Sequence, residues 1–535
     1  MNGATESQHI EQAQLEVEGG ERARFAYPTL VLAIVSLLYA ALVASHWDTG
    51  YIDFGDGNYM YLSWRMSEGA VLYKDLLAPQ PPMHLLVGTA LAKCARALGV
   101  PMLYGFRIFS LTVHLLTAWL VAAAARRCAW GISPSMKPWV GVGAGIIYLA
   151  LPIGFWWSLG YQSEHQEIVW LLLTFLLILQ GGKTALVGAG LCAGFATLTN
   201  MTAAPYALFA AGYLLVRRKR VAWFYVVPFV VLVLGVVGVM EWRTGAYLEN
   251  VIFNQVGSFP RRELLPPGEN VFTYALGKIQ REGMDVLRLE GGFILLALVG
   301  LGLALRTKQS LPPIAEFAVW WAIFSMCSIV YVSKGGTMDY IFCLGEPYVA
   351  AFAAMAVAHV IPPVQGIKWR ELFLDTTPLS RWVLFLGLGL VTLAAPIGFI
   401  RATLAQRSYE LDAHTTEQVV NQIRRRVPED GLVLSPPYYA FLAQRRIAED
   451  YSEIFLWSLK YHNEKLDGIR GRGVETVERI ARLLNEKKIA FVVLDLDQTG
   501  RIPEIREALD RNYIPVRQDE LRTLNTRLMF YEPKR

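Results

Sequence analysis

Two carboxylates three residues apart, Asp53 and Asp56, stand beside Gly55 and Gly57 directly after the first apolar run of the chain. The stretch they open, Asp53 to Asp75, also carries Arg65, Glu68, Lys74 and several Tyr and Trp side chains. An ionised carboxylate at a membrane surface, backed by a protein cavity, can accept the proton of a hydroxyl or amine nucleophile. A second acidic group lies in Gly160-Tyr-Gln-Ser-Glu-His-Gln-Glu167, where Glu164, His165 and Glu167 cluster. Carboxylates with one histidine suit a divalent cation such as Mg or Mn. They also suit the start of the following helix, where acids offset the dipole, or the shaping of an acceptor site. Basic residues that could hold an anion are Arg107, the pair Arg261-Arg262, and Lys334. Arginine grips phosphate with a two-pronged geometry. A base facing a phosphate clamp is therefore the chemistry these residue types offer.

The elements that must position them are membrane spans. The chain of 535 residues is 54% hydrophobic with mean hydropathy +0.34, and its 18% charged residues fall below the roughly 25% of a soluble domain. Apolar windows at 28–46, 105–125, 137–155, 166–180, 183–199, 201–216, 221–241, 291–306, 313–332, 339–361 and 380–400 predict about eleven transmembrane helices. Residues 1–27 form a polar tail with no cleavable leader, and the first span reads as a signal anchor. The stretch 81–98 is also apolar but contains His84, Lys93 and Arg96. If it lies on the surface, Arg126-Arg127, Lys137, Lys183, the Arg217–Arg220 cluster, Arg306, Lys308, Lys368 and Arg370 share one side with Arg22 and Arg24. The positive-inside rule then makes the N-terminus cytoplasmic. Segments 47–104, 156–165, 242–290, 333–338 and everything after about 401 face out, with an amphipathic helix over Asn58 to Gly69 and another over 81–98.

Residues 401–535 differ in kind. Strand and helix patterns alternate through VVNQIRRRV, GLVLS, TVERIARLLNEKK, IAFVVLDLD, PEIREALDRN, YIPV and RLMFYE. They predict a small extracytoplasmic α/β domain. The five cysteines, Cys94, Cys128, Cys192, Cys327 and Cys343, lie in or beside apolar segments without metal-ligand spacing and read as packing residues. The net charge of +5 says little, because it sums over both membrane faces; the partners expected are the bilayer and its lipids, with no nucleic acid.

Several short motifs carry a resemblance. Asp56-Gly-Asn-Tyr59, Arg65-Met-Ser-Glu-Gly69, Leu72-Tyr-Lys-Asp75, Pro81-Pro-Met-His84 and the helix headed by Arg107 are similar to the start of the protein O-mannosyltransferase-like glycosyltransferases. That group of the membrane GT-C superfamily includes the aminoarabinose transferases of bacterial lipid A. Gly188 to Asn200 resembles its small-residue helix, and Asp339-Tyr340 through Pro347 its late Tyr…Pro helix. The resemblance implies an all-α polytopic bundle with outer surface helices and a soluble α/β tail. It also implies inverting transfer of a sugar from a polyprenyl phosphate to a glycan, lipid or protein acceptor on the outer face of the cytoplasmic (inner) membrane. Asp56 matches the carboxylate that activates the acceptor, with Asp53 as a second candidate, and Glu164 matches the acidic residue before the fourth span. Relatives usually write Asp-Glu where this chain has Asp56-Gly57. They often carry Lys at Gln80, Lys at Asn200 and Arg at Asp339, so the phosphate ligands here are taken as Lys74, Arg107, Arg261, Arg262 and Lys334. Tyr59 and Tyr340 are further candidates to line the site. The alternatives are a flippase of lipid-linked sugars, which would put ionisable groups along a path through the bilayer, and a non-catalytic binder of the same lipids.

Overall fold

The computed structural model describes residues 27–44, 54–253, 270–306, 313–333, 339–360, 413–450, 467–496, 499–516, 521–522 and 527–535. Helices dominate. Among the described residues, four are long and apolar enough to cross a membrane: Tyr27–Ala44, Met102–Cys128, Lys219–Thr244 and Val271–Leu305. The 27 residues of Met102–Cys128 reach about 40 Å at 1.5 Å per residue, more than the ~30 Å hydrocarbon core. Lys219–Thr244 leaves Trp223, Val231 and Leu234 exposed on its flank, which is stable only where the surroundings are themselves apolar. The protein is thus a helical membrane protein.

Sequence punctuation explains the element ends. Pro101 precedes the helix Met102–Cys128, and Arg126-Arg127 fill its last turn. Gly181 (φ 70°) ends Ser163–Gln180, and Gly245 (φ 62°) ends Lys219–Thr244. The expected span 137–155 is broken into Lys137–Ala150 and Pro152–Trp157, because a proline inside a helix removes a donor and crowds the preceding turn. The span at 201–216 appears as Ala204–Arg217 after a 3-10 turn. The one at 313–332 is Pro313–Met326 with a 3-10 extension, and the one at 339–361 is Glu346–Val360 after the turn Asp339–Leu344. The small-residue helix Lys183–Thr199 buries Ala185, Ala189, Ala193 and Ala196, side chains short enough for close helix packing. The expected span 380–400 lies outside the described residues.

Two expectations change. The first surface helix runs over Phe54–Ser67, four residues earlier than Asn58. Asp56 therefore occupies a helical first turn and not a glycine-made bend. Gly69, at φ 107°, then turns the chain away. The segment 242–290, read as an outer loop, contains the first half of the 36-residue helix Val271–Arg306. The second surface segment is a helix over Pro82–Ala97.

In the C-terminal part a sheet runs in the order β2-β1-β3-β6-β4, with β5 also on β6. The strands are β1 Leu432–Leu434, β2 Arg446–Ile447, β3 Ile489–Asp495, β4 Tyr513–Pro515, β5 Leu521–Arg522 and β6 Arg527–Pro533. β1 is parallel to β2 and β3, whereas β6 runs antiparallel to β3, β4 and β5. Helices over 413–426, Pro437–Ala443, Asp467–Asn485 and Pro503–Asn512 accompany it. The helix Pro437–Ala443 was not legible in the sequence. Its buried face joins the same apolar core as Tyr61, Phe106 and Tyr161 of the membrane part.

Candidate active site

Asp56 is fully buried and faces Arg107, also fully buried, near the start of Met102–Cys128. Arg107 Nη1 donates to Asp56 Oδ1 at 2.8 Å and to the Leu159 carbonyl at 2.8 Å. Nη2 stands 2.8 Å from Asp56 Oδ2, a charge contact off the line of a hydrogen bond. The Tyr161 N–H donates to the same Oδ1 at 2.6 Å. Three separated segments thus converge on one carboxylate: the helix Phe54–Ser67, the Arg107 helix, and the turn 158–162. A buried ion pair costs several kcal/mol of desolvation per ion and persists only when hydrogen bonds complete it. Here the backbone groups of Leu159 and Tyr161 complete it.

Around this pair lies an aromatic and imidazole cluster. Tyr161 donates its hydroxyl to the His84 carbonyl at 2.6 Å and stacks on the His84 ring at 4.6 Å. Tyr59 meets the same ring edge-on at 4.4 Å. Gln166 Nε2 lies 3.0 Å from His84 Nδ1. Burial lowers the His84 imidazole to about 3, so it is neutral through the physiological range. The approach of the two surface helices needs Gly88, where a Cβ would sit 2.1 Å from Ser63 Oγ and 2.8 Å from the Tyr161 hydroxyl. Tyr59 therefore belongs to this neighbourhood. His84 and Gln166 were missed as site residues because each sits in an apolar or helix-start context whose pattern explains it without chemistry. The one signal for His84 was its place just after Pro81-Pro82.

Glu164, His165 and Glu167 do not form one ligand set. Glu164 accepts from Asn200 Nδ2 at 3.0 Å and from Ser163 Oγ at 3.1 Å. Glu167 takes both contacts of the Thr202 hydroxyl, at 2.9 and 2.7 Å. The His165 ring turns toward His114, with centroids 6.0 Å apart. Among the described residues no three His, Cys, Asp or Glu side chains converge as metal ligands. The two acids point to different partners across the next hairpin. Asn200 acts as a donor to Glu164.

Of the phosphate candidates, Arg107 is committed to Asp56 and is not a separate clamp. Lys74 is exposed, on a turn held by the Val71 N–H donating to Asp75 Oδ2 at 2.7 Å and by Tyr73, whose hydroxyl donates to the Gln80 carbonyl at 2.7 Å. Asp53, Arg261, Arg262 and Lys334 lie outside the described residues. Tyr340 falls in the 3-10 turn Asp339–Leu344, and its side chain is also outside what is described. A second acidic pair was not singled out from sequence. Glu346 Oε1 accepts from the Gly154 N–H at 2.7 Å and Glu290 Oε1 from the Ile153 N–H at 3.1 Å. Both acids are buried and tie the short helix Pro152–Trp157 to two later helices.

The same arrangement of helices occurs in solved structures. ArnT from Cupriavidus metallidurans, determined with bound undecaprenyl phosphate, superposes with a TM-score of 0.60 over 94% of this chain and 98% of its own, at 13% identity. The chain carries the GT-C fold. The oligosaccharyltransferase of Archaeoglobus fulgidus in its apo form aligns at a TM-score of 0.53 and 13% identity, over 91% of this chain and 73% of its own. The same enzyme tethered to an acceptor peptide gives 0.51 at 12% identity, over 95% and 74%. No protein-family model and no curated protein matches the sequence. Identities this low establish the GT-C architecture and leave the chemistry to the site.

Proposed function

We propose that this protein is a membrane glycosyltransferase that moves a sugar from a polyprenyl-phosphate donor to an acceptor, with inversion. The observation that carries the reading is the Asp56 carboxylate, held in place by Arg107 and the Tyr161 N–H at the head of the first helix after the first span of a GT-C fold. In the proposed step the acceptor oxygen or nitrogen attacks the anomeric carbon from the face opposite the phosphate. The bond from that carbon to the phosphate oxygen breaks, and polyprenyl phosphate leaves with the electron pair. Asp56 takes the acceptor's proton. A carboxylate already fixed by two donors on Oδ1 needs little reorganisation to do so.

Lys74, Arg261, Arg262 and Lys334 are the candidate partners of the donor phosphate, each a cation on a segment read as outward-facing. Asp53 remains a second carboxylate candidate. Glu164, with His165 and Glu167, shapes the acceptor side, and no step is assigned to a metal ion because these groups do not share a ligand set. ArnT is described with undecaprenyl phosphate and the archaeal oligosaccharyltransferase with an acceptor peptide. These ligands support a lipid-phosphate donor and a polar acceptor for this chain. We place the protein in the cytoplasmic (inner) membrane with its N-terminus inside. Residues 401–535 form an α/β domain outside, on the positive-inside argument.

The test is melting of the purified protein in lipid nanodiscs against a panel of polyprenyl-phosphate sugars. A ligand that binds only the folded state adds about 2.7 kcal/mol at a hundredfold excess over its Kd. One sugar-lipid should raise the melt above the shift from bare undecaprenyl phosphate. No shift with any polyprenyl phosphate would refute the donor class.

A further inference from the structure

The first N–H groups of a helix have no carbonyl partner within it, and the short helix Pro152–Trp157 gives two of them to distant carboxylates. Pro152 has no N–H, and Phe155 donates to the Leu151 carbonyl at 3.0 Å. Between them, the Ile153 N–H donates to Glu290 Oε1 at 3.1 Å and the Gly154 N–H to Glu346 Oε1 at 2.7 Å. Glu290 comes from the middle of Val271–Arg306, and Glu346 opens Glu346–Val360. Both are 0% exposed. An ionisable side chain buried in a membrane bundle is costly and marks a function. Neither acid has a part in the transfer step.

The other end of the short helix leads into the turn that holds the Asp56–Arg107 pair. The Ser158 hydroxyl donates to the Phe155 carbonyl at 2.9 Å. Directly after it, the Leu159 carbonyl accepts from Arg107 Nη1 and the Tyr161 N–H donates to Asp56 Oδ1. Gly154 is also where the short helix meets the Arg107 helix. A Cβ there would sit 2.8 Å from Glu346 Oε2 and 3.3 Å from His114 Cε1. His114 lies seven residues after Arg107, on the same face of Met102–Cys128. The missing side chain at 154 thus lets the Glu346 carboxylate reach the N–H against the Arg107 helix.

We propose that Glu346, with Glu290, is a positioning residue for Asp56. The two carboxylates anchor one end of Pro152–Trp157, so that its other end presents the Leu159 carbonyl to Arg107 and the Tyr161 N–H to Asp56. Neither acid touches donor or acceptor in this scheme, and each acts through the backbone of the short helix. The catalytic meaning rests on the transferase reading, whereas the mechanical coupling does not.

The backbone N–H of Tyr161 reports the coupling, since Asp56 is its acceptor. The experiment is residue-resolved hydrogen exchange on the full chain in nanodiscs, comparing wild type with Glu346→Ala and Glu346→Gln. Alanine leaves the Gly154 N–H without its acceptor, and the Tyr161 amide should then exchange at least about tenfold faster. Glutamine keeps a side-chain oxygen for that N–H and should restore slow exchange. The amides of 350–355, buried in the same helix as Glu346, should be unchanged in both. A Tyr161 amide as slow in Glu346→Ala as in wild type overturns the inference. So does an equal rise at 350–355, which marks general loosening, and so does a Glu346→Gln protein as fast as Glu346→Ala. Should Glu346→Ala not fold, Gly154→Ala displaces an unaltered Glu346 and carries the same expectation and the same refutation. None of these readouts needs a substrate. A flat melting panel with a fast Tyr161 amide in Glu346→Ala would thus sink the transferase reading alone.

Discussion

Replacing Arg107 with methionine isolates the ion pair at the centre of the site. Methionine keeps most of the stem and removes the guanidinium. Both partners are 0% exposed, so the solvent screening that limits surface pairs to about 0–1 kcal/mol does not apply. Removal leaves the Asp56 carboxylate buried with one N–H, from Tyr161, and strips the Leu159 carbonyl of its side-chain donor. Breaking a buried pair by deleting one partner costs about 3–5 kcal/mol, so Arg107→Met should lose that much. Adding Asp56→Asn removes the orphaned charge and keeps an oxygen for the Tyr161 N–H. The double variant should regain about 2–3 kcal/mol over Arg107→Met. Denaturant unfolding of the four proteins in one lipid system measures the cycle. A loss below about 1 kcal/mol in Arg107→Met, or losses that simply add, would refute the buried pair.

Two further predictions concern pH. Burial pushes the Asp450 carboxyl up, but the hydrogen bonds and charge of Arg65 outweigh it and hold the group below its ordinary 3.8. A lowered carboxylate stabilises the fold above the ordinary value, and that contribution is lost as pH falls through the folded-state value. Asp450→Asn should therefore cost about 2 kcal/mol at neutral pH, between the exposed and buried limits for an ion pair. Its melting gap to wild type should close below about pH 4, and a gap independent of pH would count against the Arg65 contact. For His84, burial lowers the imidazole from 6.5 to about 3. Between those values the unfolded chain binds the proton that the folded one refuses, so stability falls as pH drops through that window. His84→Asn should flatten the slope, and a His84 imidazole titrating near 6.5 by NMR would contradict its burial.

Much of the helical part was legible because hydropathy is a long-range average that survives local detail. Helices begin and end near the expected prolines, glycines and arginines, and 82–97 is helical as expected. What failed was local. Gly55 and Gly57 suggested a bend, yet both lie inside a helix; at Gly57 the close approach of Tyr438 calls for a glycine whatever the intrinsic helix preference. The run 271–290 mixes charged with apolar residues and reads as a loop, although it continues the apolar helix behind it. Asp56 and Arg107 could each be picked by residue type and place. That they bind one another depends on a contact between positions 51 residues apart, which no periodicity encodes. Tyr438 was invisible for the same reason: PPYYAFLA, far along the chain, gives no sign of its neighbour at Gly57.

The most direct measurement is turnover by Asp56→Asn. Wild type and variant are incubated in nanodiscs with the polyprenyl-phosphate sugar that raises the melt most and with an acceptor that wild type glycosylates, and released polyprenyl phosphate is counted. If Asp56 takes the acceptor's proton, the variant should lose about 10²–10⁴-fold in rate while the donor still raises its melting temperature. A variant that releases polyprenyl phosphate at the wild-type rate would contradict the assignment of Asp56 as the base.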